Sequence, residues 1–180
     1  MRSFLAIPLP DYIKKEVYES VTFSNDSGIK KTNLENLHIT IAFLGDCVKK
    51  EQKEEFINLL KSFSFEPFVI SLGKAGSFSR KGKPSILWIG LEKGEKELFF
   101  LREKITSLIS GSGFVCDDKF HPHITLARIN SERGLNSASD FLSKDFSGKI
   151  SFNAEKFVWI ESMLYSRGPI YRELFCGELK

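Results

Sequence analysis

Two segments of the chain spell nearly the same pattern, Leu37-His38-Ile39-Thr40-Ile41-Ala42 and Pro122-His123-Ile124-Thr125-Leu126-Ala127, and they use two of only three histidines. A β-strand points successive side chains to opposite faces. His38 and Thr40 therefore share one face of their strand, and His123 and Thr125 share one face of theirs. A duplicated strand of this kind calls for a duplicated fold around it.

The flanking sequence supplies one. Ser3-Phe4-Leu5-Ala6-Ile7-Pro8-Leu9 parallels Ser85-Ile86-Leu87-Trp88-Ile89-Gly90-Leu91, and both short apolar runs read as buried strands. After the first, Asp11 to about Phe23 predicts a helix with Ile13, Val17 and Val21 on one side. After the second, Lys96 to Ser110 predicts a helix carrying Leu98, Leu101, Ile105 and Leu108. Polar, Gly-bearing loops, 24–33 and 111–119, then lead into the His strands. Downstream, a helix over 49–63, with Phe56, Leu59, Leu60 and Phe63 on one side, and a strand over 66–74 are matched by a shorter helix over 137–146 and a strand over 148–160. A last strand pair, 162–167 and 170–178, turns at Gly168-Pro169. The expected architecture is α+β and bilobal, with two β-α-β-α-β lobes related by a pseudo-twofold axis and helices outside. Residues 1–180 are expected to form a single domain from repeat halves of approximately 1–80 and 84–180, with the His strands meeting at the axis. Arg80-Lys81-Gly82-Lys83-Pro84 lies where the halves join.

Bulk properties exclude several classes. The formal net charge is only +3, which permits a phosphate ligand without arguing for one. The clusters Lys30-Lys31, Lys49-Lys50 and Arg80-Lys81-Gly82-Lys83 read as solvated loop tips. Cys47, Cys116 and Cys176 are odd in number and form no Cys-x-x-Cys, against both a disulfide framework and a zinc knuckle. The apolar start at Phe4-Leu5-Ala6-Ile7 stops at Pro8, too short for a signal peptide, and no apolar stretch approaches ~20 residues. A reduced, cytoplasmic monomer with no membrane partner is expected.

Two imidazoles on opposite sides of a phosphorus centre suit in-line displacement. One takes a proton from the attacking water and the other protonates the leaving oxygen. The Thr40 and Thr125 hydroxyls can donate to the non-bridging oxygens, where charge grows in the transition state. No metal and no cofactor is expected. Zinc ligation by His38, His121 and His123 is conceivable, but no carboxylate or Cys pattern accompanies it.

The copies differ five residues past each histidine, where the first has Phe43 and the second Arg128. Arg offers a bidentate phosphate contact and Phe a face on which a base stacks. Strict alternation would put both on the face opposite their histidines, so each strand must end, bend or bulge first. His121 shares the parity of His123 and could reach the rim of the pocket, although a solvated strand start is the simpler expectation.

On these residues the chain resembles the two-histidine (2H) phosphoesterases, and within them the RNA 2′,3′-cyclic phosphodiesterases, also called 2′-5′ RNA ligase-like proteins. The similarity runs through Arg2-Ser3-Phe4-Leu5-Ala6-Ile7, Glu35-Asn36-Leu37-His38-Ile39-Thr40 and on to Phe43-Leu44-Gly45. It continues through Pro84 to Trp88, then Phe120-His121-Pro122-His123-Ile124-Thr125-Leu126-Ala127-Arg128, and closes with Glu161 to Ser166, Gly168-Pro169 and Tyr171. The resemblance implies mostly antiparallel sheets lining a positively charged central cleft. It implies metal-independent opening of 2′,3′-cyclic phosphate at RNA ends to a 2′-phosphate. His38 would be general acid, His123 general base, and Thr40, Thr125 and Arg128 would hold the phosphate. The stretch Lys30-Lys31-Thr32-Asn33-Leu34 departs from the family, which often has an aromatic residue and a Pro there.

The partner expected is RNA with cyclic-phosphate ends, tRNA fragments among them, or a cyclic nucleotide. Alternatives keep the site but change its use: 2′-5′ joining of tRNA halves, a small cyclic-phosphate nucleotide such as that of ADP-ribose, or an RNA-binding module without turnover. A histidine-triad hydrolase would want a further His where Thr125 stands.

Overall fold

The computed structural model describes residues 1–24, 28–116, 120–166 and 168–180; parts of the expected loops 24–33 and 111–119, and residue 167 at the end of the expected strand 162–167, lie outside the described residues. The strands are β1 (Ser3–Pro8), β2 (Ile29–Lys31), β3 (His38–Gly45), β4 (Phe68–Arg80), β5 (Lys83–Lys93), β6 (Ile124–Ile129), β7 (Ser151–Ala154), β8 (Lys156–Tyr165) and β9 (Gly168–Glu178). The helices are α1 (Asp11–Glu19), α2 (Lys53–Lys61), α3 (Glu95–Gly111), α4 (Glu132–Ser137) and α5 (Ser139–Leu142). The strands form one sheet in the order β7-β4-β5-β6-β3-β1-β8-β9, with β2 added on β6. Its pairings are antiparallel.

Outward from the β6–β3 contact, each side of the sheet repeats the other, β5-β4-β7 against β1-β8-β9. The halves also exchange strands. β4, from the first half, lies beside β5, while β8, from the second half, lies beside β1 with Ser3 opposite Glu161. Each lobe is therefore built from both halves of the sequence. The chain crosses back at Glu155, between β7, which pairs with β4, and β8, which pairs with β1 and β9. That crossing divides the expected strand 148–160 in two, and its second part runs on without a break to Tyr165.

One face of the sheet is dry. Ile7, Ile39, Ile41, Ile89, Ile124 and Leu126 have no exposed surface and share a core with Ile13 of α1, Phe56 of α2 and Leu101 of α3. Burial of each such side chain contributes about 1.5–3 kcal/mol. A one-residue slip of β3 or β6 would expose its isoleucines and bury its histidine, so this face fixes the register of the site. The helices follow their apolar spacing, although α1 ends before the buried Val21 and α3 buries Ile109 where Leu108 was expected. A 3-10 turn over Lys50–Gln52 precedes α2. The expected helix 137–146 forms earlier, as α4 and α5. Gly134 permits this, because a Cβ there would come within 2.8 Å of the Gly28 carbonyl oxygen.

The halves join through a hairpin. Arg80 pairs with Lys83 across Lys81 and Gly82, both at positive φ (52° and 75°), the signature of a type I′ turn. Among the described residues, no helix is long and apolar enough to cross a membrane.

Candidate active site

β3 and β6 meet at one antiparallel pair, Ile39 opposite Ile124. Because these isoleucines face the core, the flanking His38 and His123 face the open side. His123 stands just ahead of β6 and His38 begins β3. The two are held alike. His38 Nδ1 lies 2.7 Å from the Asn36 carbonyl oxygen, and His123 Nδ1 lies 2.6 Å from that of His121. A carbonyl only accepts, so Nδ1 carries the hydrogen and Nε2 is left for chemistry. Nε2 of His38 is 3.0 Å from Thr40 Oγ1, and Nε2 of His123 is 3.1 Å from Thr125 Oγ1.

The required break in alternation occurs in both strands. Against β1, Ala6 faces Thr40 and Leu5 faces Ala42, so Ile41 is an extra residue in β3. Against β5, Trp88 faces Thr125 and Leu87 faces Ala127, so Leu126 is an extra residue in β6. Each bulge reverses parity. Phe43 and Arg128 consequently turn to the same side as their histidines and line the same cleft, of about 660 Å³.

The cleft is basic. Arg2, Lys30, Lys31 and Arg128 line it, with Asp46 as its only acidic side chain among the described residues. Lys30 and Lys31, expected as a loop tip, form β2, with Lys30 directly opposite Arg128. Two cations are thereby set side by side on the cleft wall. Lys31 has another use: its ammonium contacts the carbonyls of Tyr18 and Val21 and sits 3.7 Å over the Tyr18 ring. Lys49 and Lys50 are exposed, and Lys83 pairs with Glu132, as solvated surface clusters should.

Aromatic rings frame the imidazoles. Phe4 stacks on His38 at 4.8 Å, Tyr171 meets it edge-on at 5.5 Å, and Phe78 meets His123 edge-on at 4.8 Å. Asn36 Nδ2 donates to the Pro169 carbonyl, tying the approach to β3 to the β8–β9 hairpin. Sequence reasoning assigned no role to Arg2, Phe4, Asn36, Phe78 or Tyr171. Arg2 and Phe4 had a signal, since they alternate with the buried face of β1. His121 is exposed, yet its carbonyl orients His123.

Burial pushes His38 down to about 4, against a raising effect of the Asn36 carbonyl and with further lowering by the charges of His123 and Lys14. His123 is also lowered, first by burial and then by the charge of His121, while the His121 carbonyl opposes the shift. Burial raises the Tyr171 hydroxyl, against the opposing charges of Arg128 and Arg2. Among the described residues, no group of three or more His, Cys, Asp or Glu side chains is placed to hold a metal ion.

A pseudo-twofold antiparallel sheet that turns two His-x-Thr pairs into one basic cleft defines a two-histidine phosphoesterase. The model of the LigT-like phosphoesterases matches the chain twice, over residues 7–88 and 89–171, and the chain belongs to that family. It is 34% identical over 176 residues to the RNA 2′,3′-cyclic phosphodiesterase of Archaeoglobus fulgidus, covering 97% of this chain and 98% of that one. It is 33% identical over 175 residues to the protein of the same name from Methanocaldococcus jannaschii, covering 95% and 96%. The crystal structure of E. coli LigT complexed with 3′-AMP matches with a TM-score of 0.78 and 27% identity, covering 99% of this chain and 97% of that one.

Proposed function

We propose that the chain hydrolyses 2′,3′-cyclic phosphate at RNA ends to a 2′-phosphate by acid/base catalysis between His38 and His123. The observation that carries this is the matched pair of imidazoles, each with Nδ1 bound to a carbonyl and Nε2 beside a threonine hydroxyl. Water attacks phosphorus in line with the 3′ oxygen. His123 Nε2 takes the proton from that water as the P–O3′ bond breaks, and His38 Nε2–H delivers a proton to O3′. Thr40 and Thr125 donate to the non-bridging oxygens, and Arg128 holds the phosphate with a planar fork. The terminal base stacks on Phe43, which is 48% exposed within the cleft.

Three of the lining cations, Arg2, Lys30 and Arg128, suit a polyanion, which favours an RNA end over a lone cyclic nucleotide. Residues 1–180 act as one domain here, since each lobe takes strands from both halves, 1–80 and 84–180. Both histidines come from one chain, which suits a monomer. Three cysteines, odd in number and with no Cys-x-x-Cys, suit the reducing cytoplasm.

The test is a short RNA ending in 2′,3′-cyclic phosphate, incubated with EDTA from about pH 5 to about pH 9. Opening to the 2′-phosphate is expected, and replacement of either His38 or His123 by Ala should cost at least ~10² in rate. No opening anywhere in that range would reject the proposal.

A further inference from the structure

Beside the main cleft lies a second cavity, of about 280 Å³, which shares Thr40, Phe43 and His123 with it. Phe78, Phe120 and His121 form most of the remaining wall. No Lys, Arg, Asp or Glu lines it among the described residues. Among the described residues a phosphate has no Lys or Arg on that wall to meet, whereas a flat, neutral ring has aromatic edges and faces. The cavity is smaller than the about 300–1,000 Å³ of sites that enclose a whole small ligand.

The wall is fixed in place by its neighbours. Phe120 is held by Phe99, edge-on at 5.0 Å, and by the Arg102 guanidinium 4.9 Å over its ring. His121 lies 4.8 Å from Trp88 and 5.4 Å from Phe78. Trp88 in turn lies across Gly76, where a Cβ would come within 2.3 Å of the indole ring. A preformed aromatic cavity binds without first ordering its own side chains.

We infer that this cavity takes the nucleobase of the nucleotide next to the cyclic-phosphate end, making the enzyme selective for oligonucleotides over mononucleotides. The inference rests on the phosphodiesterase function proposed above. With the terminal base on the cleft side of Phe43, the base one phosphodiester away is the nearest ring able to enter a cavity that borders the same Phe43. His121 contributes an imidazole able to stack on, or hydrogen-bond to, that base, and so becomes a specificity residue.

The experiment compares kcat/KM for 2′,3′-cyclic AMP, for the dinucleotide ApA ending in 2′,3′-cyclic phosphate, and for the same dinucleotide with its upstream base removed. One base stacked on an aromatic wall predicts about a tenfold or greater preference of the wild-type enzyme for the intact dinucleotide over the mononucleotide. The abasic dinucleotide should lose that preference, and Phe120→Ala and His121→Ala should bring the dinucleotide-to-mononucleotide ratio toward one. An abasic dinucleotide as good as the intact one overturns the inference, whatever the variants do. So does an equal loss on both substrates in the variants, which would place the terminal base in the cavity. Failure of the wild-type enzyme on all three substrates would instead reject the phosphodiesterase proposal itself.

Discussion

Arg102, from α3, donates through Nη1 to the carbonyl oxygen of Ile41 at 2.9 Å, and Ile41 is the extra residue of the β3 bulge. The bulge frees that carbonyl from the β1–β3 ladder, and the guanidinium satisfies it. Phe43 reaches the histidine face only because of this bulge, so Arg102 supports the site from the core side without lining the main cleft.

Arg102→Met should therefore weaken substrate binding more than chemistry. The apolar stem is kept and the donor is lost, which costs about 1.5–3 kcal/mol of stability for a hydrogen bond to a charged group. Steady-state kinetics should show a KM raised several-fold with a smaller change in kcat, and urea titration should show the stability loss. A destabilised variant with unaltered KM would separate the bulge from the placement of Phe43.

The pH dependence should differ between free and bound enzyme. Burial lowers both histidines from the ordinary value of 6.5, His38 to about 4, so the empty site holds both imidazoles neutral at pH 7. A bound phosphodiester anion favours imidazolium and raises both values. The bell for kcat/KM, which reports the free enzyme, should be centred below about pH 6.5, and the bell for kcat should lie to its alkaline side. Coincident bells would show that the substrate's charge does not load the acid. The two limbs belong to the coupled pair, and the separate variants at His38 and His123 assign them.

Stability should carry the same imprint. With a folded value of about 4 against an ordinary 6.5, His38 binds its proton more readily in the unfolded chain. Its contribution is complete above pH 6.5, falls as the pH drops through the window between the two values, and is gone below about 4. The slope is about 1.4 kcal/mol per pH unit, at most about 3 kcal/mol in all. Thermal melts of wild type and His38→Asn across this window should show a flatter acid limb in the variant. Parallel limbs would mean that His38 titrates alike in both states.

The sequence reached unequal distances into this fold. Strand and helix periodicity exposed the duplication because the same apolar spacing recurs in both halves, and the meeting of His38 and His123 in one cleft was legible because their strands repeat. Parity also showed that Phe43 and Arg128 needed a break in alternation, although it could not say that Ile41 and Leu126 would supply it. The exchange of β4 and β8 was hidden, because an apolar run declares a strand but not its partner. Phe78 reaches His123 only through β4–β5 pairing of that kind, and Trp88 through the β5–β6 pairing. Lys30-Lys31 looked like any other basic pair. Its β2 strand is three residues long, and pairing with β6 gives it order that its own sequence does not.

That pair supplies the last prediction, since its two lysines should behave differently. Lys30 lines the cleft opposite Arg128, whereas the Lys31 ammonium is spent on the carbonyls of Tyr18, in the last turn of α1, and Val21, just beyond it. Each phosphate contact on a single strand contributes about 0.7 to the slope of log affinity against log salt. Arg128→Ala and Lys30→Ala should each lower that slope for an oligonucleotide substrate while leaving the melting temperature near wild type. Lys31→Met should leave the slope unchanged and cost stability instead, about 1.5–3 kcal/mol for hydrogen bonds from a charged group. Substrate KM measured over a salt series, alongside urea titration of the three variants, separates these outcomes. A salt slope lowered by Lys31→Met would move that ammonium from the end of α1 to the bound RNA.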